Sequence, residues 1–559
     1  MHTTPKNTLR APTRTESQTP MPRRVGPGGG VLAILQGRLR WAFETVEAAL
    51  DRIFGSAWNP LYQLGALGFF YYWVVTVSGI YVYILFDTGT TEAYESVQYM
   101  TVEQWYLGGV MRSLHRYASD GMVLMMAVHM LREFALDRYR GARWFTWVTG
   151  TPILWLVFVA GITGYWMVWD ELAQYVAIAS TEWFDWLGIF GEAIARNFLT
   201  PQTLDDRFFS LLTYIHIVAP LLLLLVLWIH LQRVAKPRIN AKRGLAAGTF
   251  LMLVVLAFIK PAVSHPPADL NTVPGVLNLD WFYLPAYPLM DHFSYGAVWA
   301  FAGVLSFMLL ALPWLPPLRR PAAAAVDLDN CNGCERCAND CPFNAIVMRP
   351  RSDALPFEQQ ASVTASLCVG CGICAGSCPT ATPFRRASAL RAGIDLPERS
   401  LPALRDQVEA VAAGLAGEAR VIVFGCDHAV PVDHVSASGI GAVGLPCIAA
   451  LPPSFIDYIL SRDLADGVVI TGCRQGECFN RFGVDWMEAR LNGTRDPYLR
   501  ERVPRQRVLT VWAASVDRPA LKTAIEAFRA RLSDLPPHLP DRKTPPARPG
   551  AVDGGGSHA

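Results

Sequence analysis

The stretch His115-Arg116-Tyr117-Ala118-Ser119-Asp120-Gly121-Met122-Val123-Leu124-Met125-Met126-Ala127-Val128-His129 decides the fold. Its two histidines stand fourteen residues apart in a mostly apolar run, and a second run repeats the interval with His216 and His230. Fourteen residues is nearly four helical turns, which returns both side chains to within about 40° of one face, about 21 Å apart along the axis. Two such helices side by side present two levels of paired imidazoles, and each level suits one bis-histidine iron. A lone intramembrane histidine more often pairs with backbone or with another histidine. Four in matched register are a different case.

Two further apolar runs carry the same interval in glycine, Gly65/Gly79 and Gly150/Gly164, as expected where a haem edge presses on helix backbone and no Cβ is tolerated. In all, six apolar stretches at 61-86, 109-131, 147-168, 209-231, 246-263 and 295-315 approach the roughly 20 residues that cross a bilayer. Sidedness follows from basic residues. The 132-143 turn holds Arg132, Arg138, Arg140 and Arg143, and the 233-243 turn holds Arg233, Lys236, Arg238, Lys242 and Arg243. The 87-105 and 264-294 loops contain no Lys or Arg. The expectation is a cell (inner) membrane protein with both termini and the C-terminal half in the cytoplasm.

Residues 40-315 resemble cytochrome b of the quinol-oxidising complexes. The resemblance rests on Val110-Met111-Arg112-Ser113-Leu114-His115-Arg116, on Trp147-Val148-Thr149-Gly150, and on Thr163-Gly164-Tyr165-Trp166-Met167-Val168-Trp169-Asp170. It implies two b-type haems, the outer held by His115 and His216 and the inner by His129 and His230, with Arg112, Arg116 and Arg207 placed for haem propionates. It also implies quinone as substrate. The loop Pro266-Pro267-Ala268-Asp269 through Leu279-Asp280-Trp281-Phe282-Tyr283-Leu284-Pro285 is similar to the family's outer quinone-site loop, with Asp280 where the family has Glu. A carboxylate there would accept a quinol proton by general-base action. Gln63 occupies the place of the cysteine that attaches an extra haem in the photosynthetic branch, so no covalent haem is expected.

All twelve cysteines lie between Cys331 and Cys478, in three sets of four. Cys331-x2-Cys334-x2-Cys337-x3-Cys341-Pro342 and Cys368-x2-Cys371-x2-Cys374-x3-Cys378-Pro379 are two bacterial ferredoxin runs. In such runs the fourth cysteine ligates the other cluster, which gives two [4Fe-4S] sites: Cys331/Cys334/Cys337/Cys378 and Cys368/Cys371/Cys374/Cys341. Structural zinc prefers paired Cys-x2-Cys ligands to this triplet-plus-one. In the third set Cys426, Cys447 and Cys473 each end an apparent strand and Cys478 follows. Ligands of open parallel sheets collect at strand carboxyl ends. Spacing alone leaves structural zinc or free thiols equally open there. Residues 420-535, however, resemble the iron-sulfur (delta) subunit of methyl-viologen-reducing hydrogenase, in Asp466-Gly467-Val468-Val469-Ile470-Thr471-Gly472-Cys473 and Gly476-Glu477-Cys478. That resemblance implies a [2Fe-2S] cluster. Gly439-x-Gly441-x-x-Gly444 fits the dinucleotide pattern by letter but precedes a strand rather than opening a helix, so no nicotinamide or flavin site is expected.

The fold class expected is multidomain. It comprises a disordered cytoplasmic tail (1-45), a four-helix di-haem cytochrome b domain (46-240) and two further transmembrane helices with the quinone-type loop (241-320). An α+β ferredoxin-like domain (321-385), a linker (386-417), an α/β parallel-sheet domain (418-535) and a disordered tail (536-559) follow. The formal net charge of +2 over 559 residues gives no case for nucleic acid. Expected partners are membrane lipid, quinone and a cytoplasmic flavoprotein, dehydrogenase or heterodisulfide-reductase-like complex docked by the last domain, with a homodimer through the cytochrome b domain as a candidate arrangement. The expected function is electron transfer between the quinone pool and that partner. The rivals are a non-catalytic membrane anchor and relay, and a quinol oxidase working with a separate Rieske-type protein.

Overall fold

The computed structural model describes residues 30-536 apart from 190, 233, 235, 316-320, 354, 387 and 388. Residues 1-29 and 537-559 of the expected tails therefore lie outside the described residues, as does Arg233. The first described helix, α1 (Val31–Phe54), corrects the expected extent of the N-terminal tail. The Pro- and Gly-rich composition stops at Gly30, and from there the chain buries Gln36, Glu44 and Glu47 on one helix face.

The N-terminal region is helical: α2 (Leu64–Leu85), α3 (Val110–Ala135), α4 (Trp144–Val168), α5 (Glu171–Asp185), α6 (Asp206–Leu231), α7 (Arg243–Ile259) and α8 (Tyr295–Ala311). Local chemistry fixes several starts. Asp170 Oδ1 accepts the Ala173 N–H at 2.9 Å, Asp205 Oδ1 accepts those of Arg207 and Phe208, and Ser294 Oγ that of Ala297, so each satisfies donors the first turn would otherwise leave orphaned. Among the described residues four helices are long and apolar enough to cross a membrane: Pro60–Leu85, Gly141–Val168, Asp206–Leu231 and Tyr295–Trp314. α3 has the length, at 26 residues, but carries Arg112, Arg116, Asp120, Arg132 and Glu133. α7 is short at 17 residues. α2 packs along α3 and α4 along α6, with Ala118, Val157 and Leu223 closing the core between the pairs.

In the C-terminal half, the hairpin β1 (Ile346–Pro350) and β2 (Gln359–Val363) flanks two short helices, Arg336–Asp340 and Ile373–Ser377. The segment 386-417, expected as a linker, holds Ile394–Asp395 paired with Ala325–Val326, and the helix α9 (Leu401–Ala413), which Ser400 caps. Val408 of α9 is fully buried, and that is why this stretch packs onto its neighbours.

The last region is a four-stranded parallel sheet in the order β4-β3-β5-β6, from β3 (Val421–Cys426), β4 (Ile440–Leu445), β5 (Gly467–Gly472) and β6 (Val508–Trp512). α10 (Ser454–Ser461), α11 (Gly483–Leu491) and α12 (Arg518–Ser533) complete it. β3 and β5 are buried throughout, as their continuous Val/Ile runs require of central strands covered on both faces. Of the glycine pattern at 439-444, Gly439 stands in the turn before β4 and Gly441 and Gly444 lie in the strand itself, in the wrong context for a phosphate loop.

Candidate haem and iron-sulfur sites

The helix pairing brings the four histidines into two couples. The ring centres of His115 (α3) and His216 (α6) lie 6.2 Å apart. That is close to the roughly 6 Å expected when two imidazole nitrogens each stand about 2 Å from one shared iron. His129 and His230 face each other electrostatically at the second level. Backbone carbonyls orient the rings: His115 Nδ1 donates to Val75 O and His216 Nδ1 to Ala160 O, both at 2.9 Å. A carbonyl only accepts, so the proton sits on Nδ1 and the Nε2 lone pair is left free for a ligand role.

All four glycines lie next to these rings. A Cβ at Gly79 would stand 2.8 Å from His115 Cε1, and one at Gly164 2.9 Å from His216 Cε1. At Gly150 and Gly65 the nearest atoms, of His230 and His129, would be 3.5 and 3.8 Å away. The outer level is thus the tighter, and paired histidines backed by glycines fit haem.

Sequence reasoning missed the hydroxyls that precede three of these glycines. Ser78 Oγ lies 3.3 Å from His115 Nδ1, Thr163 Oγ1 3.3 Å from His216 Nδ1, and Thr149 Oγ1 3.1 Å from His230 Nδ1. The signal was present as a repeated Ser/Thr-Gly dipeptide, absent only at Leu64-Gly65.

Of the arginines expected at propionates, Arg112 donates to Ser264 Oγ at 2.9 Å and to Thr101 Oγ1. The exposed Arg207 has its backbone N–H in the α6 cap. Arg116 is taken up by two carboxylates, Asp120 one helical turn on and Asp280 at 2.7 Å. Asp280 also accepts from the Tyr165 hydroxyl and, at 2.7 Å, from the Phe282 N–H, and its side chain is 6 % exposed. Tyr283 anchors the same loop, its hydroxyl 2.5 Å from Ser119 Oγ and its ring against Gly161.

The cysteines of the two runs lie near one another, and Cys371 also stands near Cys447 of the third set. Cys334 and Cys337 interact with Cys331 and with the distant Cys378, while Cys371 and Cys374 interact with Cys368 and Cys341. Burial pushes the Cys337 thiol up to about 12 and raises those of Cys371 and Cys374 well above the usual range. Such thiols become thiolates only beside a strongly cationic group. In the third set, Cys426 and Cys478 each lie within hydrogen-bonding reach of Cys447 and Cys473, so the four buried thiols form one contact group at the strand ends. Gly483 makes room for them, since a Cβ there would stand 2.3 Å from Cys447 Sγ and 3.1 Å from Cys478 Sγ. Among the described residues no group of three or more His, Cys, Asp or Glu side chains is set to hold a single metal ion.

A second feature escaped the sequence, the ionic clasp between the membrane helices and the last region. Glu477, beside Cys478, takes Arg138 Nη1 on Oε2 at 2.9 Å and Arg138 Nη2 on its carbonyl at 3.0 Å, and it also binds Arg132. Arg132 reaches Glu47 of α1 at 2.8 Å, and Arg143 donates to the Phe479 carbonyl. Burial, the largest influence, lifts the Glu47 carboxyl above the ordinary carboxylate value despite Arg132.

Residues 50-237 match the family Cytochrome b/b6/petB, residues 330-382 the 4Fe-4S dicluster domain, and residues 421-536 the delta subunit of methyl-viologen-reducing hydrogenase. Among solved structures, a chain titled "Hyperthermophilic respiratory Complex III" is similar at 18 % identity and a TM-score of 0.38, over 46 % of this chain and 75 % of that one. The chain thus joins in one polypeptide a cytochrome b/b6-type membrane region, a 4Fe-4S dicluster region and a hydrogenase delta-subunit region, and so is built for electron transfer.

Proposed function

We propose that this protein carries electrons between membrane quinone and a cytoplasmic redox partner. Haem and iron-sulfur groups would supply reversible one-electron chemistry. The chain's part is to hold them in line: His115/His216 and His129/His230 at two depths, and three cysteine quartets on the cytoplasmic side. The single observation that carries this reading is the 6.2 Å approach of His115 and His216, with both Nδ1 atoms committed to carbonyls.

In this reading the dicluster region has a ferredoxin-type fold with two [4Fe-4S] clusters, and the third quartet holds a [2Fe-2S] cluster. α3 and α7 join the four apolar helices as membrane spans, which puts both termini in the cytoplasm. The charges of α3 support its inclusion, because they meet partners within the protein, Glu133 among them through Arg138 and Arg143. Arg116 and Asp120 pair with one another, and Arg132 pairs with Glu47. Intramembrane charges paired in this manner mark functional sites rather than lipid contacts.

Quinol oxidation yields two electrons and two protons, and in this reading Asp280 would accept one of the protons. A second reading, a relay without an outer quinone site, is favoured by one observation: Arg116, Tyr165 and the Phe282 N–H already occupy the Asp280 carboxylate. Quinol-driven haem reduction in Asp280→Asn separates the two. A reduced rate supports the quinone role, and an unchanged rate supports the relay.

A further inference from the structure

The contacts of the third quartet place it between the membrane helices and the dicluster region. On the membrane side, the segment Glu477-Cys478-Phe479 is held by Arg132, Arg138 and Arg143, and Arg132 stands three residues after His129 on the same helix. On the other side, the turn Cys447–Ala450 abuts the helix that carries Cys374. A Cβ on Gly376 would stand 2.0 Å from Ala449 O, and one on Gly372 2.8 Å from Ala450 Cβ.

Arg490 locks this junction. It is fully buried and donates at 2.7 Å to both Ala449 O and Asp340 Oδ2, and at 3.4 Å to Ile373 O. One guanidinium thereby ties the Cys447 turn to the two short helices that present Cys337 and Cys374. At the far end Cys334 is exposed, unlike any other cysteine of the chain.

We infer that the Cys426/Cys447/Cys473/Cys478 quartet is the first stop for electrons leaving the inner histidine pair, and that the Cys331/Cys334/Cys337/Cys378 quartet is the last. The soluble partner then exchanges electrons at the Cys334 face of the dicluster region, reversing the expectation that the last domain docks it. Arg138 and Glu477 are positioning residues for the first step. The inference rests on the electron-transfer function proposed above. A rival route runs directly from the inner histidines to the dicluster region, for which the exposed contact of Lys236 Nζ with Asn339 O at 3.1 Å is the available bridge.

The test uses the full chain in lipid nanodiscs without oxygen, with a reduced ferredoxin as one-electron donor, too large to reach buried haem directly. Each electron it loses turns one ferric haem ferrous, with no proton required. Cys447→Ser/Cys473→Ser should keep the haem bands and the [4Fe-4S] paramagnetic signals yet lose ferredoxin-driven haem reduction. Glu477→Gln, which keeps all twelve cysteines, should slow it by about tenfold, the scale set by outer-shell partners of metal sites.

The unaltered protein offers a readout independent of turnover. Freeze-quenched while the clusters are reduced and the haem is still ferric, the third quartet's signal should relax faster than either [4Fe-4S] signal. Wild-type haem reduction in both variants, or stronger relaxation of a [4Fe-4S] signal, overturns the order. Absence of haem bands or cluster signals from the unaltered protein overturns the electron-transfer function itself, and this inference with it.

Discussion

Gly79 lies flat against the His115 imidazole, so that a Cβ added there would stand 2.8 Å from Cε1 of the ring. The same holds for Gly164 and His216 at 2.9 Å, whereas Gly65 leaves an ordinary 3.8 Å to His129. Helix backbone therefore sets the position of the outer imidazoles directly.

This grading predicts the outcome of alanine substitutions. Gly79→Ala and Gly164→Ala should each destabilise by about 1–3 kcal/mol through overpacking, in spite of the helix propensity gained. They should perturb the outer haem, and Gly65→Ala should leave the inner one intact. Redox titration of the two haem absorption bands in each variant checks the contrast.

The hydroxyls beside the glycines should tune their histidines. Thr163→Val removes the Oγ1 that stands 3.3 Å from His216 Nδ1 while keeping the side-chain shape. It should weaken haem retention about 10-fold and shift the outer haem's midpoint potential. Haem content per chain after gel filtration measures the first effect, and an unchanged value would make Thr163 a packing residue only.

Arg490 should be among the costliest single changes in the soluble half. Arg490→Met leaves Asp340, itself 3 % exposed, with Arg495 as its remaining cation. Breaking a buried pair of this kind costs about 3–5 kcal/mol. Denaturant unfolding followed by circular dichroism should show the loss, accompanied by broadened signals from both the third quartet and the dicluster region.

Glu47→Gln tests the clasp from the α1 side. Arg132 would lose a carboxylate partner at 2.8 Å but keep Glu477, so a loss of about 1–3 kcal/mol is expected rather than unfolding. Faster proteolysis of α1 with haem content unchanged is the expected readout.

Much of this was legible in the sequence because it is local or periodic. The fourteen-residue interval, the Cys-x2-Cys-x2-Cys-x3-Cys-Pro runs and the strand-end positions of Cys426, Cys447 and Cys473 each follow from the geometry of one element. The clasp was not legible, because Arg132 and Glu477 are 345 residues apart and nothing local to either announces the other. The basic turns at 132-143 and 233-243 were read only for the side of the membrane they would face. The structure adds that Arg132, Arg138 and Arg143 grip the last region. The start of α1 was missed for a different reason: Val31–Phe54 follows a Gly- and Pro-rich stretch whose composition obscured the point where helix begins. Asp280 was found through its loop, but its capture by Arg116 depends on a cross-chain approach that no spacing encodes.

The most direct test of the account is the low-temperature difference spectrum of the purified protein, dithionite-reduced minus air-oxidised, for the unaltered chain and for His129→Ala. Two b-type components in the first, with one lost and the His115/His216 component kept in the second, is the predicted result. Absence of b-type bands from the unaltered chain, or no change on removing His129, would contradict it.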